Sequence, residues 1–245
     1  MSFSPFSKFE LIPQEEKLEV LKHKSQLYIG LPRENSYQER RICLTPDGVN
    51  SLVAQGHKVL IECGAGESSS YTDREYIEAG AETTNDTKKV FGCPIVLKVE
   101  PPTMEEIEMM NAGSTLISAI QIKTRKKEYF EALSQKKITA LALEYIKDHD
   151  GSYPAVKSLS EIAGTASVLI ASELMINQHF GKGLLFGNIT GVPNTEVVIL
   201  GAGTVGEYAA RTALGLGANV KVFDNSITKL RRLQNNLTQR IFTST

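Results

Sequence analysis

The chain has 245 residues with 27 basic and 28 acidic side chains, a net charge of −1 and 41% hydrophobic residues. That is enough for one large core or two ordinary ones, and the balanced charge leaves no global field to recruit nucleic acid or an anionic membrane. No unbroken apolar run reaches the roughly 18 residues of a membrane helix; the longest candidate, around Ala166–Ile176, is interrupted by Glu173.

Residues 1–26 read as an N-terminal extension. Lys8 and Glu10 stand where an export signal needs an apolar block, and Leu18, Val20 and Leu21 give a short amphipathic helix over Pro13–Gln26. From residue 27 strands and helices alternate. Strands are expected at Leu27–Gly30, Lys58–Cys63, Pro94–Val99, Ser114–Ile120 and Ile138–Ile146. Helices are expected at Pro46–Ala54, Asp73–Ala79, Thr103–Met110 and Thr124–Lys136. Thr45 before Pro46 is an N-cap followed by proline at the first helical position, and Gly56 suits a left-handed C-cap. Such alternation means a parallel sheet covered on both faces. Cys43, Cys63 and Cys93 are odd in number and lie in or beside strand-like segments. Reduced thiols and a cytoplasmic address follow. Neither the cysteines nor His23, His57, His149 and His179 fall at metal-ligand spacing, so no metal is expected.

The turn-rich stretch Lys147–Pro154 marks a boundary, giving a first domain at 27–150 and a second at 151–245. Ser158 with Glu161 three residues on predicts a capping box opening a helix over Leu159–His179. Gly181–Pro193 is glycine-rich and expected to be irregular. A second strand–helix series follows: strand Glu196–Leu200, helix Gly203–Leu216, strand Asn219–Asp224, helix Thr228–Leu237 and a strand starting at Arg240–Ser244. A doubly wound dinucleotide domain has about six strands; with two and the start of a third, the second domain is expected to be incomplete. The fold class is therefore α/β, with two doubly wound parallel-sheet domains.

Val197–Leu200 runs directly into Gly201-Ala202-Gly203-Thr204-Val205-Gly206, a G-x-G-x-x-G at a strand-to-helix turn. Gly201 permits the tight turn, Gly203 lets a pyrophosphate approach the backbone, and Gly206 lets the helix pack closely on the strand. Asp224, at the end of the next strand, suits an adenosine ribose hydroxyl and repels a 2′-phosphate, so NAD is expected over NADP. A second strand-to-glycine stretch, Ile61 to Ser69 with Gly64-Ala65-Gly66, lacks the third glycine and the following acid. It reads as a structural turn.

Several stretches together resemble the alanine dehydrogenase and proton-translocating transhydrogenase family. They are Gly30-Leu31-Pro32-Arg33-Glu34, Glu39 to Pro46, Gly64-Ala65-Gly66-Glu67-Ser68, Ser160 to Gly164 and the fingerprint itself. Gly187–Pro193, leading into GAGTVG, is closer to the dehydrogenase branch. The resemblance covers about residues 27–245. It implies a substrate-binding first domain completed by the end of the chain, an NAD-binding second domain, hexameric assembly, and an amino acid or 2-oxo acid as substrate. Neither nucleic acid nor a membrane is expected as a partner.

The resemblance places Arg41 on the arginine that holds the substrate carboxylate, a task a guanidinium fork suits; without it Arg41 is an ordinary surface arginine. Ser160 falls on a serine near the cofactor, with a helix-start hydroxyl as the alternative. Lys229 falls on a cofactor-proximal lysine, with a solvated helix charge as the alternative. Thr204 and Val205 belong to the dinucleotide turn. Two positions depart from the pattern. Glu100 stands where the family keeps a substrate-contacting lysine, and Gln121 where it keeps the catalytic histidine; glutamine does not titrate and cannot shuttle a proton. Lys98 points to the opposite strand face from Glu100, whereas Lys123 shares a face with Gln121 if that strand continues. The expected reaction is L-alanine, NAD and water to pyruvate, ammonia and NADH, reversibly, with the 245 residues by themselves inactive. The alternatives are a non-catalytic NAD-binding or sensing relative, and a transhydrogenase α-type subunit.

Overall fold

The computed structural model describes residues 26–36, 38–179 and 181–245. Apart from Gln26, the extension and its expected helix lie outside the described residues. Among the described residues the chain divides into two compact units. One runs to Leu97 and takes in Met109–Ser114; the other comprises Lys98–Glu108 and Thr115–Thr245.

The first series gives strands β1 (Tyr28–Leu31), β2 (Lys58–Glu62), β3 (Glu82–Thr84), β4 (Ile95–Leu97), β5 (Thr115–Ser118) and β6 (Thr139–Ala142). Between them lie helices α1 (Pro46–Ala54), α2 (Asp73–Glu78), α3 (Thr87–Phe91), α4 (Met104–Met109) and α5 (Lys127–Gln135). The six strands form one sheet in the order β3-β2-β1-β4-β5-β6, and β1 pairs in parallel with both β2 and β4. This is the doubly wound order, which reverses at β1 and β4 and places ligands outside the carboxyl ends of the strands there. Leu31, Val49, Val59, Ile61 and Tyr76 are buried together over one face of this sheet. Each such aliphatic side chain removed from water contributes about 1.5–3 kcal/mol.

Local chemistry sets the helix ends. Thr45 accepts the Gly48 N–H and Pro46 stands in the first turn of α1, with Gly56 left-handed just beyond it. Thr72 and Glu75 close a full capping box on α2. β3 and α3 have no counterpart among the sequence expectations. The three residues of β3 are all polar and none is buried, so they carry no hydrophobic alternation to read.

The second series gives α6 (Pro154–Ile176), β7 (Glu196–Leu200), α7 (Thr204–Gly215), β8 (Asn219–Phe223), α8 (Ile227–Asn236) and β9 (Phe242–Ser244). β7, β8 and β9 form a separate parallel sheet in chain order. Two expectations need correction. The long helix starts at Pro154 rather than Leu159, because proline is preorganised for the first turn and Lys157 already donates to the Tyr153 carbonyl. Ser158 and Glu161 therefore lie inside the helix and form no cap. At 23 residues, α6 is also long and apolar enough, by length and composition, to cross a membrane. Its small and hydroxylated residues, with Glu173, break the apolar run but not the helix. Gly164 is buried on α6 because a Cβ there would meet Tyr208 Cβ at 2.8 Å and the Ala209 N at 3.0 Å. With Ala209, Ala210 and Ala213 buried on α7, this makes a close helix crossing between small residues.

Candidate functional site

The glycine loop after β7 is built as its spacing implies. Gly201 sits at φ +112°, in the region that favours glycine. A Cβ on Gly206 would overlap the Gly201 carbonyl oxygen and lie 3.4 Å from Ile199 Cγ2, so only glycine lets α7 start this close to β7. Gly203 is the helix N-cap with extended backbone, and a Cβ on Gly201 or Gly203 would meet nothing within 4 Å. The loop thus leaves open space in front of the first turn of a 12-residue helix, where unpaired N–H groups and the helix dipole favour an anion.

An open cleft of about 580 Å³ runs along this loop. Ser160, Gly201, Gly203, Thr204, Val205 and Gly206 line it, with Val168, Ala171 and Phe186 as apolar wall. Six of the sequence-selected cofactor residues therefore share one cleft. Ser160 lies in the second turn of α6 and donates its hydroxyl to the Val156 carbonyl at 2.7 Å. It is not a helix-start cap.

Asp224 follows β8. One carboxylate oxygen accepts the Ala202 N–H at 2.7 Å and the other the Ser226 N–H at 2.8 Å. These two backbone N–H groups hold its carboxyl below the usual range, with the nearby Lys229 charge a smaller contribution. An ionised carboxylate offers about four acceptor positions, so it keeps capacity for a ribose hydroxyl while it anchors the glycine loop. Lys229 Nζ lies 3.9 Å from Asp224 Oδ2 and its side chain is half exposed. Arg232 donates to the Ala202 carbonyl at 3.4 Å. Ala202, Ser226 and Arg232 were not selected from the sequence; two of them act through backbone atoms, which leave no side-chain signature.

In the unit built on β1, Arg41 is paired. Its Nε donates to Glu39 Oε1 at 2.7 Å and its Nη2 to Glu39 Oε2 at 2.5 Å. The pair lowers the Glu39 carboxyl from its usual value, chiefly through the side-chain hydrogen bond from Arg41. A polar cleft of about 650 Å³ opens beside it, lined by Arg33, Glu34, Asn35, Gln38, Glu39 and Arg40 among others.

The strands expected to run up to Glu100 and Gln121, Pro94–Val99 and Ser114–Ile120, end two residues earlier. β4 ends at Leu97 and Glu100 lies in a bend, so alternation of strand faces does not reach it. Lys98 is buried, with Nζ 3.8 Å from Glu106, which also accepts the Thr103 N–H. β5 ends at Ser118. Gln121 takes a left-handed backbone at φ +53°, and Lys123 lies in the exposed turn that follows. The premise that aligned Lys123 with Gln121 on one strand face therefore fails, because the chain turns first. Glu144 accepts the Ile120 N–H at 3.1 Å and the Gln121 N–H at 2.6 Å, fixing that turn; nothing in the sequence marks it. Among the described residues no cluster of histidine, cysteine or carboxylate can hold a metal.

The second glycine stretch is closed. Gly64 donates its N–H to Asp73 Oδ1 at 2.8 Å, and a Cβ on Gly66 would lie 2.6 Å from the Tyr76 ring. Only a three-residue 3-10 turn, Glu67–Ser69, follows. This is a structural turn.

Comparison with known proteins gives a consistent result. A family model described as the alanine dehydrogenase/PNT N-terminal domain matches residues 30–163, and the corresponding C-terminal domain model matches residues 167–245. An alanine dehydrogenase from Methanococcus maripaludis is 39% identical over 208 residues, 84% of this chain and 56% of its own length. Another from Mycolicibacterium smegmatis is 37% identical over 218 residues, 89% of this chain and 58% of its own. A solved L-alanine dehydrogenase aligns with a TM-score of 0.82 at 34% identity, covering 89% of this chain and 60% of that one. A transhydrogenase from Sinorhizobium meliloti, 24% identical with a TM-score of 0.75 over 89% of this chain and 64% of that one, shares the fold. The chain spans less than two thirds of the length of these relatives.

Proposed function

The chain belongs to the alanine dehydrogenase/PNT family, and from that premise we propose that it is part of an NAD-dependent amino-acid dehydrogenase. The reaction converts L-alanine, NAD and water to pyruvate, ammonium and NADH, and runs in either direction. The observation that carries this reading is the glycine loop after β7, open to a cleft and tied to the Asp224 carboxylate. The residues present fit a dinucleotide: open space at Gly201 and Gly203, a helix N-terminus for the pyrophosphate, and a carboxylate for the adenosine ribose. When bound, the nicotinamide accepts the hydride. Arg41 holds the substrate carboxylate, and Ser160 and Lys229 border the cofactor. On the family resemblance the protein works as a homo-oligomer, with 27–150 as substrate domain and 151–245 as cofactor domain.

One observation favours a second reading, an NAD-binding relative without alanine turnover. Gln121 does not titrate and is held by its backbone in a fixed turn, so the proton transfer that contributes about 10²–10⁴ in rate needs another group.

Calorimetric titration of the purified chain with NAD and with NADP tests the cofactor reading. NAD is expected to bind at least about tenfold more tightly, since Asp224 repels a 2′-phosphate; tighter NADP binding would sink it. In the full-length protein, L-alanine-dependent NADH formation then separates the two readings. Robust turnover retires the non-catalytic one, and NAD binding without turnover retires the dehydrogenase.

A further inference from the structure

A guanidinium offers carboxylates two edges, a side-on edge of Nε with Nη2 and an end-on edge of Nη1 with Nη2. In Arg41 the side-on edge is already taken by both oxygens of Glu39, at 2.7 and 2.5 Å. The same Glu39 Oε1 also accepts the Arg41 backbone N–H at 2.9 Å. Three hydrogen bonds therefore lock two residues separated by one position, so the arrangement is local and preformed. Burial is unequal across the pair: the Glu39 side chain is 7% exposed and the Arg41 side chain 53%. The carboxylate is fixed inside and the guanidinium projects outward. Among the described residues Nη1 makes no hydrogen bond.

We propose that Glu39 is a positioning residue, clamping Arg41 by its side-on edge so that the end-on edge faces the carboxylate of an amino or 2-oxo acid. This rests on the reading that Arg41 holds the substrate carboxylate. The opposite role, a stand-in carboxylate that substrate must displace, is disfavoured by the geometry: leaving would break three hydrogen bonds and strip a buried charge of its partner. Without the clamp the guanidinium regains rotamer freedom and is drawn toward Glu34, whose charge already acts on it.

The test measures pyruvate binding to the intact protein by calorimetry, in wild type, Glu39→Gln, Glu39→Ala and Arg41→Lys. The expected result is saturable binding by wild type, loss in Arg41→Lys, and weakening of about three- to tenfold in both Glu39 variants, the cost of re-ordering one long side chain. NAD affinity should be unchanged in all four, a separation that general loosening of the fold would not give. Glu39 variants that bind pyruvate as tightly as wild type, or more tightly, while Arg41→Lys still loses it, overturn the proposal and leave the Arg41 reading intact. Arg41→Lys binding like wild type, or no pyruvate binding by wild type, overturns both. Should the Glu39 variants fail to fold, the Arg41 Nε–H resonance of the wild type decides. Slow hydrogen exchange that survives saturation with pyruvate supports the clamp; protection lost on saturation means Glu39 was displaced, and overturns it.

Discussion

Two strands in this chain, β2 and β7, end in G-x-G, and the two turns do opposite things. After β7, Gly201 and Gly203 leave space that no side chain enters, in front of a helix long enough to carry a dipole. After β2, the protein fills its own turn: Asp73 takes the Gly64 N–H, and Tyr76 and the Tyr71 carbonyl press against Gly66. Glycine at both places reports a crowded or left-handed backbone. Whether the crowding is meant for a ligand or for the protein itself depends on what stands opposite. In one turn the opposing group is a tyrosine donating its own hydroxyl to the Leu44 carbonyl; in the other no described residue lies within 4 Å of a Cβ on Gly201 or Gly203.

The contrast separates stability from binding, and three measurements press on it. The largest effect is expected for Gly66→Ala. Its methyl would stand 2.6 Å from the Tyr76 ring and 2.8 Å from the Tyr71 carbonyl oxygen, an overpacking that costs about 1–3 kcal/mol. A lowered urea midpoint with unaltered NAD affinity is expected; a stability matching wild type would mean that the turn is less crowded than described.

Next comes Gly203→Ala, with the opposite pattern. Its backbone angles suit alanine and its Cβ meets no protein atom, so stability should stay within about 0.5 kcal/mol. The added methyl intrudes where a pyrophosphate would approach, and NAD should bind at least about tenfold more weakly, roughly 1.4 kcal/mol. Calorimetry showing wild-type affinity would undo the distinction between the two turns.

The smallest effect concerns the acid that ties each turn. Asp224 has a carboxyl lowered from its ordinary value of 3.8, first by the Ala202 N–H and then by the Ser226 N–H. A carboxyl depressed in the folded state stabilises above its unfolded pKa and loses that contribution as pH falls through the folded one. Wild type should therefore exceed Asp224→Asn in urea midpoint by a constant margin above about pH 5, and the margin should shrink below about pH 4. A margin that persists or widens on acidification contradicts the assignment. Asp73, which accepts the Gly64 N–H, gives the reference variant for the other turn.

Much of this arrangement was legible in the sequence because its causes are local. The alternation of strands and helices, the Thr45–Pro46 helix start, and the glycine spacing around Gly201, Gly203 and Gly206 follow from backbone sterics and hydrogen bonding within a few residues. So does the position of Asp224, since a strand of fixed length delivers its end to the neighbouring turn. The extension of strand faces past β4 and β5 failed for a converse reason. Where a chain leaves a strand is decided by partners distant in sequence, such as Glu144 on the 120–121 backbone, and side-chain alternation says nothing after that point.

The sequence by itself determined the α/β architecture, the dinucleotide fingerprint and the family, because each is written in spacing. Tertiary structure alone decided that one G-x-G turn opens to a cleft while the other is packed shut, that Asp224 gives two acceptor positions to its own loop, and that Arg41 is held by Glu39 with its side chain half exposed. The physical reason is the same in each case. Which hydrogen-bonding positions remain for a ligand depends on which ones the folded protein has already satisfied, and that accounting closes only when residues distant in the chain stand side by side.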